Sequence, residues 1–425
     1  MDQMYLLMTV GTGIGNDPAD AEERLAKSCS YAISSYKPEH IIFFCSSESR
    51  ELIPAIKRMY EDITKMPPPP DEICLIDNPT NFPRCFEIIY GVSVLFQEFE
   101  IVIDASSGTR EMTMAAAITS FLTRSLVSYV TGRKEAGKIV SGTEHLREMT
   151  LYAAYDHLMF HQAVDLFNGS HFGAALEHLK GITAVADRDA YYGIFSAYYY
   201  WDKLNYQAAF RYLEHAPDLN PSIPQNREYL QILLNLEELE DSDMPRKDQN
   251  RARQKKYLYI LVDLLNNAKR RIEGERYDDA LARLYRVVEL LSQVLLMSWG
   301  IDDIEGKIHF TDLRKILRDK KDIATYARRA DNKGVIRIGL RSKFMLLEDL
   351  GLAGAASYYQ HLEPFLRTRN DSILAHGLTP VPGERARRMW QEVYEIVNRA
   401  CSGMPFDLEG LLVRSAYPAL EIPIW

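Results

Sequence analysis

Apolar residues in the first 150 positions come in short unbroken runs, separated by stretches of helical period. Met4–Val10 (MYLLMTV) reads as a buried strand, and His40–Cys45 (HIIFFC), Ile73–Ile76 and Ile101–Asp104 (IVID) read as further strands. After the first run Asp17 suits a helix cap with Pro18 at the first helical position, and Ala21, Leu25, Cys29, Ala32 and Ile33 follow with helical spacing. Further helices are expected over about 50–65, 84–98 and 111–123, and the prolines at 67–70 make a stiff surface loop. Leu126–Val130 and Lys138–Val140 close the series as a hairpin. Strands alternating with helices through short connections predict a Rossmann-like, doubly wound parallel sheet over residues 1–150.

From residue 151 the strand signal stops and a repeat begins. Ala163, Phe172, Ala175 and Leu179 recur as Ala197, Tyr206, Ala209 and Leu213, and again as Ala268, Tyr277, Ala280 and Leu284. The offsets of 34 and 71 residues suit helix hairpins of the tetratricopeptide kind. Two units in the middle segment are too few for a solenoid, so residues 151–245 read as a helical connector. The acidic run Glu237–Asp243, Pro245 and the mostly basic stretch 246–256 mark a boundary, after which 246–425 reads as an all-α domain. Within it, Leu281, Leu284, Val287, Val288 and Leu291 form the apolar face of a helix over 277–295. Tyr191, Tyr192 and Tyr198–Trp201 have helical spacing and read as repeat packing rather than a base-stacking platform.

Composition narrows the class. A chain of 425 residues exceeds one compact domain, and 47% hydrophobic with 26% charged residues is ordinary for a globular protein. No run approaches the roughly 18 apolar residues of a membrane span, so no membrane partner is expected. The segment MDQMYLLMTVGTG lacks the basic start of a secretory signal. Five scattered cysteines with no C-x-x-C pair argue for a reducing compartment, the cytoplasm, and against a cysteine-built zinc site. The net charge of −9 is uneven: residues 1–245 hold 19 Lys+Arg and 35 Asp+Glu, net −16, and residues 246–425 hold 31 and 24, net +7. Either the basic part meets a polyanion, or it docks against the acidic part.

Candidate chemistry in the first domain sits in three turns. Gly11-x-Gly13-x-Gly15 follows a strand, but Asn16 stands where the dinucleotide fingerprint needs its last glycine. No acidic residue closes a strand some 20 positions on, which argues against a nicotinamide enzyme. No P-loop is present. Asp104–Met112 (DASSGTREM) joins a strand to a helix. Ser106, Ser107 and Thr109 offer hydroxyls, Gly108 admits close approach, and the helix start offers amides, a combination suited to phosphate or a nucleotide edge. Ser46 and Ser47 make a similar turn after the second strand. Polar turns are common helix caps, but three converging on the carboxyl edge of one sheet favour a pocket. The glycine turn together with Asp104–Met112 resembles the CARF domain of CRISPR-associated proteins, with Ser107 where glycine is commoner. The resemblance covers about residues 1–150. It implies a homodimer binding a cyclic oligoadenylate across its two-fold axis, with ligand contacts on Gly11, Thr12 and Gly13, on Ser46 and Ser47, and on Ser107, Gly108, Thr109 and Arg110.

The basic half carries Arg369-Asn370-Asp371-Ser372-Ile373-Leu374-Ala375-His376. On a continuous helix, Arg369 and His376 lie on one side about two turns apart, and Asn370 can hold either. His transfers protons near neutral pH, and Arg holds phosphate charge. RNA brings its own nucleophile, the 2′-OH. An incidental pair on a surface helix is the plain alternative. In an all-α domain this R-N-x5-H-G motif resembles that of HEPN ribonucleases, at the long end of its spacer range, and the helix over 277–295 is similar to an early helix of that domain. Arg283, Arg286 and Glu289 read as its solvated face, with support for the site as the alternative. The resemblance covers about 257–400. CARF followed by HEPN is the arrangement of type III CRISPR accessory ribonucleases. It implies a metal-independent endoribonuclease that cuts single-stranded RNA, not DNA, to 2′,3′-cyclic phosphate products, with Arg369, Asn370 and His376 at the catalytic site. No cofactor is expected, and no metal site: His157 and His161 stand four apart without a third ligand. Two rival readings are a sensor or adaptor that cuts nothing, and a sensor that also degrades its activator through Ser107, Thr109 or Arg110.

Overall fold

The computed structural model describes residues 4–13, 17–135, 138–140, 142–301, 306–317, 323–373 and 377–421. The chain divides into two compact units, residues 1–161 with 180–188, and residues 162–179 with 189–425.

In the first unit the expected alternation is present. β1 (Met4–Val10), α1 (Pro18–Tyr36), β2 (His40–Cys45), α2 (Ser47–Arg50), α3 (Ile53–Thr64), β3 (Asp71–Leu75), α4 (Phe82–Leu95), β4 (Glu100–Asp104), α5 (Arg110–Thr123) and β5 (Leu126–Thr131) follow in order. The strands run parallel as β3-β2-β1-β4-β5, with β1 central. Leu7 of β1 stands opposite Ile42 on one side and Ile103 on the other. Successive side chains take opposite faces. Leu6, Met8 and Val10 pack with Leu25, Cys29, Ile33 and Ile56 from α1 and α3. Leu7 packs with Cys85, Ile89, Met112 and Ala115 from α4 and α5. Both faces of β1, β2 and β4 are covered, which is why these strands are mostly apolar, whereas β3 at the sheet edge leaves Ile73 and Leu75 exposed.

Two details differ from the sequence expectation. The helix over 50–65 is two helices, α2 and α3, parted at Glu51 and Leu52. The hairpin of 126–130 with 138–140 does not form. Instead β6 (Lys134–Glu135) and β7 (Lys138–Ile139) make a small ribbon of their own, and β5 pairs antiparallel with β8 (His145–Met149). β8 is an edge strand whose residues are exposed apart from a half-buried Leu146. With one inward apolar position it carries no period-two signal to read.

α6 (Tyr152–Asn168) leads into the second unit, followed by α7 (Phe172–Lys180), α8 (Arg188–Asp202), α9 (Tyr206–Glu214), α10 (Ser222–Asp241), α11 (Arg246–Glu273) and α12 (Tyr277–Ser298). The aromatics of the repeat, Phe172, Tyr206 and Tyr277, each open the second helix of a hairpin. The turn before each is the same. Ser170, Leu204 and Glu275 have positive φ of 61°, 61° and 57°. The next amide bonds back five residues, His171 to the Leu166 carbonyl at 2.8 Å, Asn205 to Tyr200 at 3.0 Å and Arg276 to Arg271 at 2.7 Å. This is the Schellman cap, which satisfies carbonyls orphaned at a helix end. Ala163, Ala197 and Ala268, the small residues of the pattern, are fully buried. The tyrosine-rich segment packs as expected, with Tyr191, Tyr198 and Trp201 buried.

Beyond α12 come β9 (Lys307–His309), α13 (Phe310–Ile316), α14 (Ile323–Ala327), β10 (Val335–Arg337), α15 (Leu340–Leu350), α16 (Ala355–Asn370), α17 (Gly383–Ala400) and α18 (Leu408–Arg414). Leu281, Leu284, Val287, Val288 and Leu291 of α12 are buried at the centre of one core with α11, α15, α16 and α17. The antiparallel β9–β10 ribbon has strands too short for a pattern to foretell. After α18 the chain runs back over the repeat helices. Asn226 donates to the carbonyls of Arg414 and Ala416 at 2.6 and 3.0 Å, and Asn168 exchanges two bonds with the Leu420 backbone. Tyr417 inserts among the rings of Phe172, Tyr198 and Trp201.

Candidate functional site

In the strand order, connections reverse direction between β1 and β4, so the turns after these strands flank the crevice where ligands of such sheets bind. The two turns touch. A Cβ on Gly11 would lie 2.9 Å from the Gly108 amide nitrogen, so only glycine fits there. Gly108 itself has φ 113°, a region open to glycine. The Gly11 amide donates to the Ser107 hydroxyl at 3.0 Å, and the Thr9 hydroxyl donates to the Ser107 carbonyl. The β2 turn is tied to the same place: Ser46 caps α2 in a reciprocal pair with Ser49, whose hydroxyl donates to the Val10 carbonyl at 2.8 Å. Gly11, Ser46, Ser107 and Gly108 are thereby brought to one edge. Thr12, Ser47 and Arg110 are exposed at it.

Asp104 holds the β4 turn from beneath. Its carboxylate, fully buried, accepts from the Ser106 amide at 3.1 Å, the Ser106 hydroxyl at 3.0 Å and the Ser128 hydroxyl at 3.0 Å. Burial pushes this carboxyl up to about 6, against the hydrogen bonds that favour its ionised form. Thr109 caps α5, accepting from the Met112 amide at 3.2 Å and donating to the Pro79 carbonyl at 2.5 Å. Both its hydroxyl functions are spent inside the fold, so Thr109 shapes the turn. The anion-binding capacity lies in the exposed hydroxyls, Arg110 and the amides opening the 14-residue helix α5. The supporting roles of Thr9 and Ser128 have no sequence signal, because each depends on a neighbour from another strand, and Ser106, one of the turn hydroxyls read from the sequence, is turned to Asp104.

In the second unit Arg369 and Asn370 end α16. The Arg369 guanidinium lies over the Tyr285 ring of α12, 4.6 Å from the centroid, and donates to the Asn370 side-chain oxygen at 3.2 Å. Both are thus held where the helix gives way to a loop. His376 lies outside the described residues. The shared helix face expected for the pair is not present, because α16 stops at Asn370. The polar run Asn370-Asp371-Ser372 competes with helical bonding. The chain doubles back instead, with the Gly377 amide on the Ser372 carbonyl at 3.1 Å and the Thr379 amide on the Asp371 carbonyl at 3.3 Å. Tyr285 was not singled out from the sequence; its place under Arg369 comes from the packing of α12 on α16. Arg283, expected on a solvated face, instead bonds Asn267 and Asp279, next to the buried Asp202–Arg271 pair. Arg286 does face solvent, paired with Glu289. Among the described residues no three His, Cys, Asp or Glu side chains are grouped to hold a metal, and no helix is long and apolar enough to cross a membrane.

Comparison with known proteins bears on both units. A family model described as the Csm6 HEPN domain matches residues 249–403, and one described as the Csm6 6H domain matches 155–261. Together they cover more than half of the chain. The chain belongs to the Csm6 family. It is of the CARF–HEPN type and an accessory protein of type III CRISPR systems. The solved structure of Enterococcus italicus Csm6 bound to cyclic hexa-2′-fluoro-hexa-dAMP is similar over 97% of this chain and 98% of that one, with 12% identity and a TM-score of 0.64, a likeness of fold. Can2 from Sulfobacillus thermosulfidooxidans, in complex with cyclic tetra-adenylate, aligns over 49% of this chain and 68% of that one at 12% identity, with a TM-score of 0.24, too low to argue from. A search of curated proteins found no match. The 6H match spans α6 to the middle of α11, which includes the first two copies of the repeat. The Csm6 HEPN match contains Arg369, Asn370 and position 376.

Proposed function

We propose that this Csm6-family chain is an endoribonuclease of CRISPR antiviral defence, switched on by a cyclic oligoadenylate held at the joined β1 and β4 turns. The observation that carries the reading is the Csm6 HEPN match across the Arg369-Asn370 pair, in a chain whose first unit presents three polar turns on one sheet edge. In this reading the 2′-OH of single-stranded RNA attacks the adjacent phosphorus and the 5′-oxygen leaves. Arg369 takes up charge developing on the phosphate, oriented by Tyr285 and Asn370. His376 moves the proton, from the attacking hydroxyl or to the leaving oxygen. Products carry 2′,3′-cyclic phosphate and 5′-OH ends, and no metal is required. As in the CARF and HEPN families, a homodimer binds the activator across its two-fold axis and completes the cleavage site.

The test is a cleavage assay against a panel of cyclic oligoadenylates, with and without excess EDTA. Cleavage that needs one ring size and persists in EDTA is the expected result. A substrate with 2′-deoxyribose at the scissile position is expected to resist. His376→Ala should lose about 10²–10⁴ in rate, and Arg369→Ala about 10²–10³. Activator binding without any cleavage would instead support an adaptor.

A further inference from the structure

The basic excess of the second half has one address. Residues 306–341 hold 11 Lys+Arg and 4 Asp+Glu, net +7, and the rest of 246–425 holds 20 of each. The whole +7 therefore sits in the excursion between α12 and α15 that carries α13, α14 and the β9–β10 ribbon. Eight of its cations lie in described positions: Lys307, Arg314, Lys315, Arg328, Arg329, Lys333, Arg337 and Arg341. All eight are exposed. Two of its carboxylates, Asp312 and Asp331, lie in described positions. Asp331 turns to the backbone amides of Lys333 and Val335 at 2.8 and 2.9 Å, closing the ribbon turn, and Asp312 pairs with Lys315 at 3.2 Å. Arg337 and Lys307 face each other in register across the ribbon. With Gly306, Ile338 and Gly339 they line a shallow groove of about 430 Å³.

Concentrating like charge on one surface costs repulsion unless a polyanion relieves it. A single-stranded nucleic acid backbone is met by a cationic groove of this kind. Resting on the ribonuclease reading, we infer that the described cations of this excursion, Arg314, Lys315, Arg328, Arg329, Lys333 and Arg337, form the surface that docks the RNA substrate through its phosphates, apart from the residues that cut it. Contacts of this kind set affinity and its salt dependence and carry no base specificity.

The test compares wild type with the variant carrying Arg328→Gln, Arg329→Gln, Lys333→Gln and Arg337→Gln in the full chain. Unchanged melting temperature and activator affinity verify the fold. The first readout is binding of an uncleavable, fully 2′-O-methylated 20-mer from 50 to 300 mM salt. Each phosphate contact contributes about 0.7 to the slope of log affinity against log salt. The variant is expected to show a slope shallower by up to about 2.8 and, at 0.1 M salt, an affinity at least about tenfold lower. The second readout is cleavage: KM for a 20-mer rises, and the penalty shrinks as the RNA is shortened to four nucleotides. Identical slope and affinity in the two proteins would overturn the assignment. So would loss of binding to phosphatidylserine vesicles with RNA binding intact, which would give the surface to a membrane. If wild type binds RNA through these residues but never cleaves, the docking surface stands and the ribonuclease reading fails.

Discussion

Arg369 shows how much a single side chain depends on what lies beneath it. A guanidinium at a helix end, next to a loop, has many rotamers, and a charge donor that wanders stabilises a transition state poorly. Stacking on Tyr285 and the bond to Asn370 restrict it to one plane. A cation over an aromatic face contributes about 0.5–2 kcal/mol according to its exposure. Tyr285→Leu is therefore expected to lower kcat several-fold to about thirtyfold, with KM little changed. Tyr285→Phe keeps the ring and should restore most of the rate. Steady-state kinetics on the two variants, beside their melting temperatures, check this. Equal loss in both would assign the effect to the phenol hydroxyl instead of the ring.

At the scale of elements, the β1 and β4 turns are a single construction. Each holds the other through the Gly11 amide on Ser107, the Thr9 hydroxyl on the Ser107 carbonyl and the Gly11–Gly108 approach. Gly11→Ala places a Cβ against the Gly108 backbone, which has no flexible end to swing aside. The turns must part, and the amides of α5 leave their common focus. The expected outcome is a loss of activator affinity of tenfold or more by calorimetry, while the second unit keeps its own fold. Retained affinity would show that the activator does not bridge these two turns. The helix hairpins illustrate the opposite economy: each αL cap is local, and the same cap recurs at Ser170, Leu204 and Glu275 without any long-range help.

For the whole molecule, two buried acids set a pH dependence of stability. Asp104 in the first unit and Asp263 in the second are each pushed up to about 6, chiefly by burial. Unfolded aspartate titrates near 3.9. Between these values the native chain holds protons that the unfolded chain has released, so stability falls as pH rises through the window. The contribution is fully present below about pH 4 and gone above about pH 6. Urea denaturation from pH 4 to 7.5 should show this trend, reduced in Asp104→Asn for the first unit and in Asp263→Asn for the second. Asp156 works the other way. Burial raises its carboxyl, but the Thr183 and Ala184 amides and Arg124 outweigh that and hold it below the ordinary value. Its stabilisation is lost as pH falls through the acid range.

Periodicity alone determined the parallel sheet, the helix hairpins and most of the buried positions, because burial of a strand or helix face writes itself into consecutive residues. The motifs at Asp104–Met112 and Arg369–His376 were legible for a similar reason: they are continuous in the chain. β8 was not legible, since an edge strand with one inward side chain leaves no pattern. Nor was the end of α16 at Asn370, where a loop closes on bonds between Asp371, Ser372, Gly377 and Thr379. The Tyr285 shelf, the Asp104 anchor and the exposure of the described cations between Gly306 and Arg341 were decided by tertiary structure. Each depends on which residues distant in sequence come to lie side by side, or on which are left uncovered, and packing settles that where no local propensity can.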